Sequence, residues 1–173
     1  MPLIKTETLI KADVKTCFNL ARNIDVHQES LKHTQEIAVD GKTTGLIELG
    51  ETVTWEANHL GFVQHLTSKI TEFEDSRYFV DEMVSGAFKS FRHEHIFRES
   101  DNNTLMIDVF YFESPHGILG KVADSLFLKR YIAKLLKRRN AFLKMRAEEM
   151  TNLISLKSSR INNKSLNSAF IRI

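Results

Sequence analysis

The sequence predicts an α+β fold in which a curved antiparallel sheet grips one long C-terminal helix. Two observations support this prediction. Strand-like segments follow one another from Thr52 to Phe112, and a single amphipathic helical pattern then runs from Pro115 to about Met150. No Pro follows Pro115 and no Gly follows Gly120, so no helix-breaking residue interrupts this pattern. A sheet that wraps around a helix tends to leave a cavity between them, which favours a binding function.

The first part of the chain predicts one strand and two short helices. Residues 3–11 alternate between two faces, as a strand does. Asp13 is a suitable N-cap for a helix whose apolar residues recur every three or four positions, at Val14, Cys17, Phe18 and Ala21. A second short helix is expected at 24–32, with Asp25 near its start.

Six further segments have the length and the bounding turn residues of strands. They are residues 35–40, 51–59, 64–74, 78–84, 88–98 and 104–112. The sequence Ser100-Asp101-Asn102-Asn103, between the last two segments, is a strong hairpin signal. Because each connection is short, neighbouring strands should pair antiparallel.

Pro115 is expected to open the long helix, because the first helical position tolerates a missing amide hydrogen. Apolar residues on this helix recur near helical spacing, whereas basic residues mostly occupy the other side. The apolar set is Val122, Leu126, Ile132, Leu135, Leu136, Phe142 and Leu143, and the basic set is Lys129, Arg130, Lys134, Lys137, Arg138 and Lys144. Residues 152–173 lack periodicity, so we predict an extended or disordered tail after a domain over residues 1–151.

The composition is that of an ordinary soluble globular protein. Its 173 residues suit one domain, with 42% hydrophobic and 27% charged residues. No signal peptide is visible, and no apolar run reaches the roughly 18–20 residues that span a bilayer. The single cysteine, Cys17, excludes an internal disulfide and is expected to be a buried thiol. These features predict a cytoplasmic location.

The charges are distributed unevenly along the chain. Residues 1–114 carry 11 Lys/Arg and 19 Asp/Glu, whereas residues 115–173 carry 13 Lys/Arg and 3 Asp/Glu. The basic helix could complement the acidic sheet, or bind an anionic partner such as a lipid head group, or simply be solvated. No RNA-binding aromatic signature accompanies the basic helix, so we do not expect nucleic acid as a partner, whereas peripheral membrane contact stays open.

One predicted strand carries the sharpest group of polar side chains. Because side chains alternate along a strand, one face should hold Phe91, His93, His95 and Phe97. Two neutral imidazoles on one face could chelate a metal. Zinc needs about three or four protein ligands, and no fixed spacing supplies the others, although Asp108 or His59 could be a third. We therefore predict no metal and no cofactor, and histidines that bond to cross-strand partners or orient a ligand.

Two further residues leave alternatives open. An inward Asp108 would be costly to bury unless it paired with a histidine or an arginine, and it would then be an acid–base candidate. An outward Asp108 would instead pair with Arg92 or Lys89 across the strands. Trp55, the only tryptophan, is expected in the core or the cavity wall, where its indole N–H would need a partner.

Several stretches of the chain coincide with one known group. They are Gly50-Glu51-Thr52-Val53-Thr54-Trp55-Glu56-Ala57, Asp81-Glu82-Met83, Gly86-Ala87-Phe88, the spaced Phe91, His93, His95 and Phe97, then Thr104, Met106 and Asp108, Ser114-Pro115, Gly117, Leu119-Gly120, Leu135-Leu136, Arg138-Arg139-Asn140 and Leu143-Lys144. Together, over roughly residues 3–150, they resemble the bacterial ligand-binding members of the START-like superfamily, called SRPBCC proteins.

The resemblance implies a helix-grip fold, with a seven-stranded antiparallel sheet around the C-terminal helix, two small helices at one end and a mostly apolar internal pocket. The superfamily includes polyketide cyclases, lipid-transfer domains and plant pathogenesis-related proteins, so the fold does not settle the function. No motif here transfers a catalytic role residue by residue. The sequence also lacks a nucleophile elbow, a phosphate loop, a dinucleotide fingerprint and a paired-cysteine zinc site.

Three functions therefore compete. The first is a carrier or sensor that binds a small hydrophobic ligand, such as a lipid, a polyketide or an isoprenoid-like molecule, in the internal cavity. The second is an enzyme of the cyclase, dehydratase or hydrolase type, and the third is a regulatory module that binds an anionic partner through the basic helix. The predicted ligand-binding residues are Trp55, His59, Phe62, Phe91, His93, His95, Phe97 and Asp108, with Phe62 as a gate at the cavity mouth.

Overall fold

Seven strands form one antiparallel sheet, two short helices follow the first strand, and a long helix ends the described chain. The computed structural model describes residues 2–59, 61–113 and 121–169, of which residues 121–125 and 158–169 are described by their backbone alone. The predicted α+β helix-grip class is confirmed.

The strands and the two short helices lie within a few residues of their predicted positions. The strands are β1 (Leu3–Ile10), β2 (Ile37–Gly41), β3 (Thr52–His59), β4 (Phe62–Glu74), β5 (Tyr78–Ser85), β6 (Ser90–Ser100) and β7 (Asn103–Glu113). The helices are α1 (Val14–Ala21), α2 (Ile24–Ser30) and α3 (Lys121–Ala169), and a 3-10 helix spans Lys32–Thr34.

The order of strands in the sheet is β1-β7-β6-β5-β4-β3-β2, so β2 to β7 form a meander and β1 joins it beside β7. Every pair is antiparallel, as the short connections predict for the neighbours in sequence from β2 to β7. At the β6–β7 hairpin, Asp101 and Asn102 both have positive φ, 48° and 64°. A two-residue turn with this backbone matches the twist of the strands that it joins, and Asn and Asp tolerate it well. The hairpin signal is confirmed.

Helix α1 closes one end of the sheet with its apolar side. Asp13 caps it by accepting a hydrogen bond from the Thr16 amide at 2.8 Å, as predicted. The Phe18 ring is fully buried, with ring centroids of three surrounding phenylalanines within 5.6 Å. Cys17 is buried beside it, and burial raises the pKa of the thiol to about 11. The expectation of a buried thiol is confirmed.

Helix α3 is longer than the sequence analysis predicts. Its backbone continues past Met150 to Ala169. This stretch is rich in Ser, Asn and Lys but contains no Pro or Gly, the two residues that most strongly disfavour a helix. An extended or disordered conformation over residues 152–169 is therefore wrong, while the division into a domain and a tail stays a prediction. The expected start at Pro115 lies outside the described residues. None of the helices in the described part of the chain carries an apolar stretch that could cross a bilayer.

Two apolar clusters fill the space between the sheet and the helices. One surrounds Phe18 and includes Phe97, and the other surrounds Phe112 and includes Phe91 with Ile132 of α3. Because side chains alternate along β6, the two histidines between Phe91 and Phe97 point to the same side and lie between the clusters. The sheet thus places polar groups in the middle of an otherwise apolar interior.

Candidate functional site

A cavity of about 240 Å³ lies between the sheet and helix α3. Its walls come from strands β3 to β7, from helix α2 and from one face of α3, and most of the lining side chains are apolar. Five of the eight predicted ligand-binding residues line this cavity: Trp55, His59, Phe91, His93 and His95.

The other three predicted residues lie elsewhere. Phe97 belongs to the apolar cluster around Phe18, with 5.4 Å between the two ring centroids. Asp108 is completely buried behind the histidines and is not part of the cavity wall. Phe62 begins β4 opposite His59 and is 71% exposed, because the β3–β4 turn carries it to the surface. Its proposed role as a gate stays a prediction.

Asp108 is the centre of a buried group of ionisable residues that we call the Asp–His cluster: Asp81, His93, His95, Asp108 and Arg139. Of the two open alternatives for Asp108, the inward one is correct. Its Oδ1 atom lies 3.0 Å from His93 Nε2 and 3.4 Å from the Arg139 guanidinium. Its Oδ2 atom accepts a 2.6 Å hydrogen bond from the Asn140 amide. Such a carboxylate is well satisfied despite its burial.

His95 lies between two carboxylates. Its Nε2 atom is 2.8 Å from Asp81 Oδ2, and its Nδ1 atom is 3.0 Å from Asp108 Oδ1. The contact from Nδ1 to Asp108 is short, but its angle does not suit a hydrogen bond. Nδ1 of His95 is therefore a buried atom without a hydrogen bond. The neighbouring His93 directs Nδ1 towards Asp81 at 3.8 Å, and the centroids of the two imidazole rings are 3.7 Å apart.

Register places these side chains together. Asp81 pairs with His93 across β5 and β6, and Asp108 pairs with His95 across β6 and β7. Helix α3 then closes the group from the other side. Arg139 is 4% exposed and also donates a 2.9 Å hydrogen bond to the Ala21 carbonyl at the end of α1.

Burial and charge shift the pKa values of this cluster. Burial, with a smaller contribution from His95, lowers the pKa of His93 to about 4, so this imidazole is neutral at pH 7. Burial raises the pKa of Asp108, but the contacts from both histidines and the charge of Arg139 outweigh burial and hold that pKa well below its usual range. For Asp81, burial is likewise outweighed, chiefly by the His95 hydrogen bond, and the pKa is lowered.

A second polar group lies elsewhere on the cavity wall. His27 of α2 bonds to Glu36 at 2.9 Å and stacks on Trp55, with 4.4 Å between the ring centroids. Burial opposes ionisation of Glu36, but His27 outweighs it and lowers the pKa of the carboxyl. His59 Nδ1 lies 2.9 Å from the Tyr131 hydroxyl of α3.

Sequence reasoning missed Asp81, Glu36 and Arg139 as site residues. Asp81 and Glu36 reach the cavity through strand register and chain folding, which local patterns do not encode. Arg139 did carry a signal, because it follows the apolar Ile132 by seven residues and so shares its helical face. The predicted basic face is exposed on α3 except for Lys144, which is half-buried, and its role towards an anionic partner stays a prediction.

The sequence of residues 10–135 matches the family model described as polyketide cyclase / dehydrase and lipid transport. No protein with a curated description matches the chain.

Solved structures with the same fold are distant in sequence. An aromatase/cyclase from Streptomyces sp. R1128, named Zhui, has 8% identity and a TM-score of 0.71, over 87% of this chain and 95% of its own. A START superfamily protein from Mycobacterium smegmatis has 10% identity and a TM-score of 0.66, over 86% and 98%. The protein TTHA0849 from Thermus thermophilus has 17% identity and a TM-score of 0.65, over 82% and 97%. At these identities the similarity shows the fold alone.

Proposed function

Because this chain belongs to the polyketide cyclase / dehydrase and lipid transport family, we propose that it is a carrier or sensor for a small, mostly apolar molecule. The family binds hydrophobic ligands and includes polyketide cyclases. The single observation that supports the proposal is an apolar cavity with an ionised cluster in one wall. A ligand with a hydrocarbon body and one polar end matches both parts.

The volume of the cavity limits the size of this ligand. At about 240 Å³ it exceeds the cavity of about 150 Å³ that holds benzene, yet it is below the roughly 300 Å³ at which pockets for drug-sized ligands begin. A molecule of one or two rings, or a short chain, matches this volume. A lipid with two long acyl chains would require the cavity to expand.

The polar wall indicates which end group the ligand carries. His93 is neutral and lines the cavity, with its Nδ1 atom 3.8 Å from Asp81, while Arg139 lines the same wall with a guanidinium whose N–H groups only donate. A hydroxyl or a carbonyl oxygen could bond to these groups without adding charge. A carboxylate on the ligand would be repelled by the carboxylate of Asp81, which is part of the same wall. We therefore favour a neutral polar end, such as a phenol, an alcohol or a ketone.

Native mass spectrometry of the untagged protein tests this proposal, with 2-naphthol as the added probe because it combines two rings with one hydroxyl. We expect a 1:1 complex. The variant Ala57→Phe should abolish the complex, because Ala57 lines the cavity and a phenyl ring would fill part of it.

Ala141→Phe is the matched control, since Ala141 is exposed on α3 and the same change there leaves the cavity untouched. Binding that survives Ala57→Phe, or that is lost equally in Ala141→Phe, would exclude the cavity as the site. Absence of any complex with 2-naphthol and with a panel of one- and two-ring alcohols and ketones would refute the proposal.

An enzyme of the cyclase or dehydratase type is the second candidate, and the Asp108–His93 pair supports it. Asp108 holds one nitrogen of His93, and the other nitrogen lies 3.8 Å from Asp81 in the cavity wall, as in a general base that a carboxylate orients. The pKa of about 4 argues against strong basicity, because an efficient base has a pKa near the working pH.

The two candidates differ in the effect of His93→Gln. A carrier should keep at least part of its affinity for 2-naphthol, because glutamine can still bond to a hydroxyl. An enzyme should lose turnover of a β-hydroxyketone that can be dehydrated, measured as formation of the conjugated ketone by absorbance. No turnover by the unmodified protein would leave the carrier as the function.

A further inference from the structure

The Asp–His cluster offers three metal-ligating atoms on the cavity side. Asp81 Oδ2, one nitrogen of His93 and one nitrogen of His95 all lie within 4.8 Å of one another. His93 Nδ1 is 3.8 Å and His95 Nε2 is 2.8 Å from the carboxylate oxygen. Ligands of a tetrahedral zinc ion with bonds of about 2.0–2.1 Å are about 3.4 Å apart. The two distances to the carboxylate oxygen lie within about 0.6 Å of that spacing, and the two ring nitrogens are at most 4.8 Å apart.

The other nitrogen of each histidine faces one and the same buried carboxylate. His93 Nε2 and His95 Nδ1 are both 3.0 Å from Asp108 Oδ1. Histidines that bind a metal almost always donate their second ring N–H to a carboxylate, a carbonyl or a water, which fixes the tautomer and the ring orientation. Asp108 is in turn held by the Asn140 amide and by Arg139. Asp108 therefore already holds His93 by a hydrogen bond, and it lies equally close to His95 Nδ1, to which no well-directed hydrogen bond is yet formed.

The position of His95 also calls for a cation. A neutral imidazole carries one N–H, so one of its two nitrogens must direct a lone pair at a carboxylate oxygen. That nitrogen is left without a hydrogen bond, as Nδ1 of His95 is. A metal ion between His95 Nε2 and Asp81 removes this conflict, because Nδ1 can then carry the N–H of the ring. The same ion can also use His93 Nδ1, which faces the same carboxylate.

We propose that Asp81, His93 and His95 bind one divalent transition-metal ion of the zinc class, with Asp108 holding the outer ring nitrogens of both histidines. Two imidazoles and one carboxylate are borderline ligands that suit zinc and its neighbours better than magnesium or calcium. The ion would have three protein ligands and a free position directed at the cavity. The sequence analysis expected no metal and considered Asp108 or His59 as a third ligand. The site proposed here uses Asp81 instead.

Charge is consistent with such an ion. Asp81 and Asp108 carry two negative charges and Arg139 one positive charge, so these three side chains together carry a net charge of −1. A divalent ion with a bound hydroxide adds +1 and makes the cluster neutral. The buried setting favours a neutral total, because uncompensated charge inside a protein is strongly disfavoured.

Titration of the untagged protein with ZnCl₂ by isothermal calorimetry tests this site. We expect saturable 1:1 binding at micromolar zinc. Asp108→Asn should weaken binding by roughly 10- to 100-fold, as loss of a group that orients metal ligands does. Asp81→Asn should weaken it at least as much, because it removes a ligand.

The matched control is His65→Gln. His65 also pairs with a carboxylate, Glu56, at 2.9 Å, but on the exposed side of the sheet. This change should leave zinc affinity unaltered. Equal zinc affinity in Asp81→Asn and in the unmodified protein would overturn the proposal, as would a loss of binding in His65→Gln.

A measurement on the unmodified protein keeps the test decisive if a variant does not fold. In ¹⁵N NMR spectra, zinc should shift the ring nitrogens of His93 and His95 and leave those of His65 in place. Unshifted ring nitrogens at saturating zinc would refute the site. Zinc binding is measured without any organic ligand, so a protein that binds 2-naphthol but no zinc would refute this inference and leave the proposed function standing.

Discussion

Replacement of Arg139 by methionine should destabilise this protein more than any surface substitution on the same helix. Arg139 is 4% exposed, lies 3.4 Å from Asp108 and donates a 2.9 Å hydrogen bond to the Ala21 carbonyl. Methionine fills a similar volume but carries no charge and no donor. The change therefore leaves a completely buried carboxylate with less compensation and a carbonyl without its partner.

The expected loss of unfolding free energy is about 4 kcal/mol, since breaking a buried ion pair by removing one partner costs about 3–5 kcal/mol. In a domain of this size, such a loss corresponds to a fall in Tm of roughly 8–16 °C. The buried ion pair itself contributes little net stability, because charge attraction is offset by desolvation. We therefore expect Arg139→Met with Asp108→Leu to cost about 1–3 kcal/mol less than the sum of the two single changes.

Urea unfolding followed by circular dichroism provides the assay, with the midpoint and the slope m determined for each variant. Arg138→Met is the matched control, because Arg138 is exposed, and its effect should stay within about 0.5 kcal/mol. A loss below about 1 kcal/mol in Arg139→Met, or strict additivity with Asp108→Leu, would show that the interior does not depend on this ion pair.

Four further predictions concern other residues. Burial lowers the pKa of His93 to about 4. The imidazole of His93 is therefore protonated near pH 6.5 in the unfolded chain but only near pH 4 in the folded chain. The stabilisation that the neutral His93 contributes should therefore be full above pH 6.5 and fall by about 3 kcal/mol as the pH drops to 4, and His93→Gln should remove this part of the pH dependence in urea titrations. Cys17 should react with a thiol reagent only after unfolding, because it is buried with a raised pKa, and native protein that reacts as fast as unfolded protein would contradict this. Phe62→Ala should change the unfolding free energy by less than about 0.5 kcal/mol, yet alter the exchange rate of bound 2-naphthol in stopped-flow experiments if Phe62 is a gate. Lys137→Glu with Arg138→Glu should reduce co-sedimentation with anionic vesicles at low salt if the basic face contacts membranes, and equal binding would exclude that face.

The sequence alone determined the order and type of the elements up to about residue 151, because these depend on local patterns. Alternation along β6 placed both histidines on one face with Phe91 and Phe97, and the Asp101-Asn102 turn located the β6–β7 hairpin. Cap residues such as Asp13 marked the start of α1. Each of these features involves neighbours within a few positions, where a single side chain or backbone angle decides the outcome.

Only the tertiary structure decided which polar residues share the interior. Asp81 meets His95 through strand register, and Arg139 reaches Asp108 because α3 lies across the sheet with its inward face on the cluster. Arg139 could not be recognised as a buried residue from the basic sequence of α3, because its neighbours Lys137 and Arg138 are exposed. Charge alone does not distinguish a solvated arginine from one that pairs with a buried carboxylate. Pairing of charges distant in sequence depends on how whole elements pack, and that packing also determined the volume of the cavity.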